Sequence, residues 1–149
     1  MPAEVVRVEP VALMPTQAGC AVFLGDGEKS IVFYVDPSIG AAINTVMANE
    51  LPPRPLSHDL FTECLNALGG RVTRVLIVKV EGEVFYARMF VEAQNELIER
   101  KIIELDARPS DSIAMAVRAG APIYFLKEIW EMLEDMTPVL RKMQQEQGL

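Results

Sequence analysis

A chain of 149 residues, half of them hydrophobic, is long enough for one domain with a real core and too apolar to be disordered. Its net charge of −7, with no basic run, disfavours tight nonspecific binding of DNA or RNA by a monomer, leaving room only for a local basic groove or one built by oligomerisation. No apolar run approaches the roughly 20 residues of a membrane span, and MPAEVVRVEP lacks the basic start and apolar block of a signal peptide, so a cytoplasmic protein with no membrane contact is expected.

Glu4 to Leu13 is rich in β-formers and reads as a first strand, with Pro10 marking a bulge or an edge. A turn at Pro15–Gly19 leads to a strand from Cys20 to Leu24, and a loop at Gly25–Lys29 to a strand from Ser30 to Val35. Ile31 to Val35 has no polar face, which predicts cover on both sides. Asp36-Pro37-Ser38 opens a helix, with Ser38 or Asp36 as N-cap; Ile39, Ala42, Ile43, Val46 and Met47 form its apolar stripe. Pro52-Pro53-Arg54-Pro55 ends it. Ser57 is expected to cap a second helix that buries Leu60, Phe61, Cys64, Leu65 and Leu68 and stops at Gly69-Gly70.

Val72 to Val80 and Glu83 to Val91 form a hairpin around Glu81-Gly82. Apolar residues on both faces of its second strand suggest helices on one side and a subunit contact on the other, hence a homo-oligomer. A strand from Ile98 to Asp106, a helix at Ser110, a short strand from Ile123 to Phe125 and a helix around Ile129, Trp130 and Leu133 follow. Thr137 is read as the N-cap and Pro138 as the first residue of a last helix, whose polar end from Lys142 to Leu149 is expected to fray. The fold class is α+β: a single compact domain, antiparallel-rich, with helices packed on its sheets. Residues 1–135 would form the domain and 136–149 a C-terminal helix and tail. Three strands, Pro-Ser and a helix occur twice, at Glu4–Glu50 and Val72–Ala119, which suggests a βββα duplication.

Cys20 and Cys64 belong to no CxxC and read as free thiols in packed positions. His58 is the one histidine, which excludes a His-rich zinc site. Two polar clusters stand out. In the first, Arg108 lies between Asp106 and Asp111 in sequence and could hold both. Either Ser110 caps the helix while Asp111 meets its dipole, or Asp106 and Asp111 hold a divalent cation such as magnesium while Arg108 and Ser110 meet a phosphate. In the second, Arg54, Ser57, His58 and Asp59 form either a capped helix start or a general base beside a phosphate clamp. Neighbours in a helix diverge by about 100°, so Asp59 is poorly placed to orient His58; the functional reading needs the two clusters to meet. Glu99-Arg100-Lys101 has the E-x-K spacing of metal-dependent nucleases, but also the look of a charged strand edge.

Leu51–Asp59 (LPPRPLSHD), the following helix ending LNALGGRV, Phe85-Tyr86-Ala87 and Leu105–Tyr124 (LDARPSDSIAMAVRAGAPIY) resemble the bifunctional nuclease family, over nearly the whole chain from about Val5 to about Trp130. The resemblance implies a compact α+β domain, found mostly in bacteria and also in plants. It also implies RNase and DNase activity, the property for which the plant members are named. The family's most recognisable residues match at Arg54, Pro55, His58, Asp59, Asp106, Arg108, Pro109, Ser110 and Asp111. One departure is visible: where relatives read Pro-Ile-Trp-Ile-Gly followed by Glu-Ala, this chain has Val32-Phe33-Tyr34-Val35-Asp36 followed by Pro37-Ser38. Two functions are expected from these residues. One is a metal-assisted nuclease acting on RNA or DNA, with Asp106 and Asp111 on the metal, Arg54 and Arg108 on phosphate, and His58 and Asp59 at the chemistry. The other is a non-catalytic oligomeric binding module.

Overall fold

The computed structural model describes residues 3–148; Leu149, the end of the expected tail, lies outside them. The strands are β1 (Val5–Pro15), β2 (Cys20–Gly25), β3 (Ser30–Val35), β4 (Gly70–Glu81), β5 (Val84–Ala93), β6 (Lys101–Ala107) and β7 (Ile123–Leu126). They form one mixed sheet in the order β3-β2-β1-β7-β4-β5-β6. Five helices pack on it: α1 (Pro37–Met47), α2 (Ser57–Ala67), α3 (Pro109–Ala119), α4 (Lys127–Met132) and α5 (Thr137–Glu146). The chain is a single α+β domain, as the sequence implied. Among the described residues, no helix is long and apolar enough to cross a membrane.

Two three-stranded meanders, β1-β2-β3 and β4-β5-β6, flank the central β7, and each leads into an 11-residue helix that begins Pro-Ser. β1 serves two neighbours because of its proline. Val5 to Val8 pair with β7, Glu9 to Pro15 pair with β2, and the register slips between Pro10 and Ala12. A proline has no ladder N–H to offer, so a bulge is where it does least harm. β7 runs antiparallel to β1 and parallel to β4.

α3 is the centre of the helical layer. Ser112, Ile113, Ala114, Met115 and Ala116 are buried, and the helix packs on β4, β5, α1 and α2. Its alanines let the backbone approach the sheet closely, and Gly120, at φ 65°, ends it in the left-handed conformation that glycine tolerates. α4 closes the other end: Trp130 packs edge-on against Phe125 at 5.0 Å, and its indole N–H donates to Asp26. α5 sets Leu140 against Met14, Ala21 and Phe23.

Several expectations need correction. α2 buries none of its residues: Leu60, Phe61, Cys64 and Leu68 are exposed, and only Leu65 packs against the core. α3 already occupies the middle of the sheet, so α2 packs mainly on α3 and β4 and leaves its other apolar positions outside. Cys64 is therefore not in a packed position. Tyr34 is 69% exposed, because β3 is an outer strand of the sheet. The serines do not cap. α2 starts one residue and α3 two residues earlier than a serine cap allows, with Leu56 and Arg108 as N-caps, and α5 starts from Met136 with Thr137 already helical. Asp36 is the cap of α1 and accepts the Ile39 amide. β6 begins at Lys101 and not at Ile98, because the Asn95 side chain accepts from the amides of Leu97 and Ile98 and holds them in a turn.

Candidate functional site

The residues at the start of α2 meet the start of α3. His58 Nε2 lies 3.0 Å from Asp111 Oδ1, and Arg108 Nε donates to Asp111 Oδ2 at 2.8 Å. One carboxylate thus joins the only histidine to an arginine from the strand-to-helix corner. An ionised carboxylate only accepts, so the His58 nitrogen that faces it, Nε2, carries the N–H. Burial acts to raise the Asp111 carboxyl, but the bonds from Arg108 and His58 outweigh it and hold the group below the ordinary carboxylate value. The His58 side chain is 16% exposed, and its backbone carbonyl accepts the Thr62 hydroxyl, which fixes the first turn of α2.

Arg108 is exposed, and only its Nε is engaged, so the two terminal guanidinium nitrogens are free among the described residues. The hydrogen bond to Asp111, then the charges of Asp111 and Asp36, strengthen its hold on its proton. The second carboxylate near Arg108 is therefore Asp36, the cap of the other Pro-Ser corner. Asp106, the partner expected from the sequence, binds Arg88 Nη1 at 2.5 Å across the β5–β6 ladder, where the two residues are in register. Arg108 does not bridge Asp106 and Asp111, and this is a correction that strand register explains.

Asp59 points away from His58, as helical geometry required. Its Oδ2 accepts the Leu56 amide at 2.9 Å and its Oδ1 the Arg118 Nε at 2.7 Å. Burial acts to raise its carboxyl, while the Leu56 amide and Arg118 prevail and lower it. Arg118 is 5% exposed, gives Nη1–H to the Ala114 carbonyl, and leaves Nη2 without a partner among the described residues. The sequence did not single out Arg118. Its one signal was a lone cation ending an otherwise small and apolar helix. Arg54 is exposed on the loop before α2 and Ser110 is half-buried; neither side chain makes a hydrogen bond or ion pair among the described residues. Arg100 bonds Glu92, and no further acid joins Glu99 and Lys101 in a metal-binding group.

The donor set does not suit a resident metal. Among the described residues, no group of three or more His, Cys, Asp or Glu is placed to hold one. Both oxygens of Asp111 are taken by His58 and Arg108, and Asp106 faces Arg88. The expected pairing of Asp106 with Asp111 on magnesium is not assembled.

Two clefts flank the cluster. One, of about 660 Å³, lies between the end of α1, the proline loop and α2, and is lined in part by Asp59, Thr62 and Arg118. The other, of about 640 Å³, lies between β3, the β4–β5 hairpin and the start of α3, and is lined by Arg108, Pro109 and Ser110 together with apolar side chains. His58 itself lines neither; it is next in sequence to Asp59 of the first and bonded to Asp111, which follows Ser110 of the second.

The family model described as the bifunctional nuclease domain matches residues 22–136. An uncharacterized protein of Mycobacterium tuberculosis strain H37Rv is 38% identical over 99 residues, which cover 66% of this chain and 56% of that protein. Bifunctional nuclease 1 of Oryza sativa subsp. japonica is 28% identical over 99 residues, covering 66% of this chain and 29% of the plant protein. Bifunctional nuclease 1 of Arabidopsis thaliana is 29% identical over 93 residues, covering 62% and 27%. The chain spans about half the length of the mycobacterial relative and less than a third of the plant ones.

Proposed function

This chain belongs to the bifunctional nuclease domain family, and on that premise we propose that it hydrolyses phosphodiester bonds of RNA or DNA at the His58–Asp111–Arg108 cluster. The observation that carries this reading is the 3.0 Å contact between His58 and Asp111, with Arg108 on the other carboxylate oxygen. In this mechanism Asp111 fixes the ring and its tautomer, so that Nδ1 takes a proton from the attacking water; the water oxygen forms a new P–O bond as the P–O bond to the leaving sugar oxygen breaks, and that oxygen is protonated by solvent. The free fork of Arg108 binds the phosphate oxygens and stabilises the charge that grows on them in the transition state. Ser110 adds a hydroxyl beside it, and Arg54 is available to a flanking phosphate. Asp59 and Asp106 hold Arg118 and Arg88 and act on structure. No step runs through a metal.

The test is cleavage of a labelled single-stranded RNA and the matching DNA, in EDTA and in magnesium, by the wild type, His58→Ala and Arg108→Ala. Loss of a general base should lower kcat by about 10²- to 10⁴-fold. Activity at the wild-type level in both variants would remove this site.

A second reading, a non-catalytic oligomeric module, is favoured by one observation: α2 turns Leu60, Phe61 and Leu68 outward. Its mark is a stable oligomer that cleaves nothing under any of these conditions.

A further inference from the structure

The cleft beside Arg108 is built differently from the one beside Arg118. Its lining is aromatic: Phe33 of β3 and Phe85 of β5 meet there with ring centroids 6.4 Å apart, although four strands lie between theirs in the sheet. Tyr34, which is 69% exposed, and Val84, also exposed, line it as well. Arg108 and Ser110 line it too, and Glu83 is the other charged residue of the lining. A volume of about 640 Å³ falls within the range of roughly 300–1,000 Å³ typical of small-ligand sites.

We infer that this cleft seats one unpaired nucleobase of a single-stranded nucleic acid, stacked on its aromatic residues, with the adjoining phosphate on Arg108. The inference rests on the nuclease reading above and names its substrate class. Three observations carry it. Arg108 is the one cation of the lining and Glu83 the one anion, so a phosphate belongs on Arg108 and the part of the occupant seated in the cleft is uncharged. The free guanidinium nitrogens and the Ser110 hydroxyl offer donors beside an apolar lining, so the site pairs a phosphate contact with a stacking platform. Finally, Arg108 is the one cation lining the cleft of a chain whose net charge is −7, so many phosphate contacts are not on offer there. Stacking is the term left to supply it, and a base held inside a duplex offers no free face to an aromatic side chain without first being extruded.

Binding and cleavage are measured separately so that the two readings can fail separately. Binding of a fluorescent single-stranded RNA oligonucleotide, and of the same strand annealed to its complement, is measured in the His58→Ala background with Tyr34, Tyr34→Ala, Tyr34→Phe and Phe85→Leu. Tyr34 is exposed, so its truncation leaves the core intact. The expected result is a preference for the single strand, a loss of about 5- to 150-fold in affinity for Tyr34→Ala, the range measured for removal of one stacked base, and near-wild-type binding by Tyr34→Phe. Phe85→Leu keeps an apolar lining and loses a stacking face, so it should weaken binding in the same direction. The affinity should fall with salt at a log–log slope near −0.7, about one phosphate on a single strand. Equal binding of duplex and single strand, a Tyr34→Ala variant within twofold of its parent, or no binding would each overturn the inference. If the wild type cleaves nothing while Tyr34-dependent binding persists, the nuclease reading falls and the base site stands.

Discussion

Asp59→Ala should destabilise the fold without touching the proposed chemistry, and its cost can be worked out from two bonds. The first is the Leu56 amide at the start of α2, which loses its acceptor; losing a cap of this kind costs about 1 kcal/mol. The second is Arg118, which is 5% exposed and would keep only the Ala114 carbonyl. Removing one partner of a buried pair costs about 3–5 kcal/mol, and the 28% exposure of the Asp59 side chain reduces that, because water reaches the gap. The sum is about 2–4 kcal/mol, a large part of the roughly 5–15 kcal/mol that holds a domain together. Urea denaturation at neutral pH measures it as a lower midpoint. The pH dependence supplies an internal control. Asp59 has a depressed carboxyl in the folded chain, so its contribution is complete above the unfolded value of about 3.9 and is lost as pH falls through the folded value. The gap between wild type and variant should therefore close in acid. Asp26, Asp36, Asp111 and Asp135 are also lowered, so the variant keeps part of its acid sensitivity. A loss under about 1 kcal/mol at neutral pH, or a gap that does not narrow in acid, would refute the assignment of Asp59 to structure through Arg118.

Two further substitutions test the packing of the helical layer. Gly40→Ala should cost about 1–2 kcal/mol despite alanine's better helix propensity, because its Cβ would sit 2.7 Å from Cys20 Cβ, which cannot swing aside; an unchanged melting temperature would show that α1 can move off β2. Ser112→Ala should leave stability unchanged or raise it by up to about 1 kcal/mol, because the Ser112 hydroxyl is fully buried and unpartnered among the described residues; a clear loss in denaturant midpoint would mean that the hydroxyl has a partner.

Much of the fold could be read from local pattern. Apolar runs bounded by the Gly25–Lys29 loop and the Glu81-Gly82 turn marked the strands on either side of each, and the Pro-Ser pairs marked the starts of α1 and α3. The failures share a cause, which is that local pattern carries no tertiary competition. The α2 stripe showed which side chains favour burial, but not that α3 would already fill the sheet. Arg88 and Asp106 are 18 positions apart and meet only because β5 and β6 pair in one register. Asp36 and Arg108 come from opposite halves of the chain and interact only once α1 and α3 lie side by side. The sequence named both His58 and Asp111 and could not join them. It also showed the aromatic run on β3 without revealing that Phe85 would close over it.

The most direct test of the central claim is a double-mutant cycle on His58→Ala and Asp111→Asn, read as kcat/KM on single-stranded RNA with folding checked by circular dichroism. If Asp111 acts by orienting His58, the double variant loses no more than the worse single variant, because groups that work as one unit are lost together. Losses that multiply would show that the two residues act independently and would contradict a His58–Asp111 site.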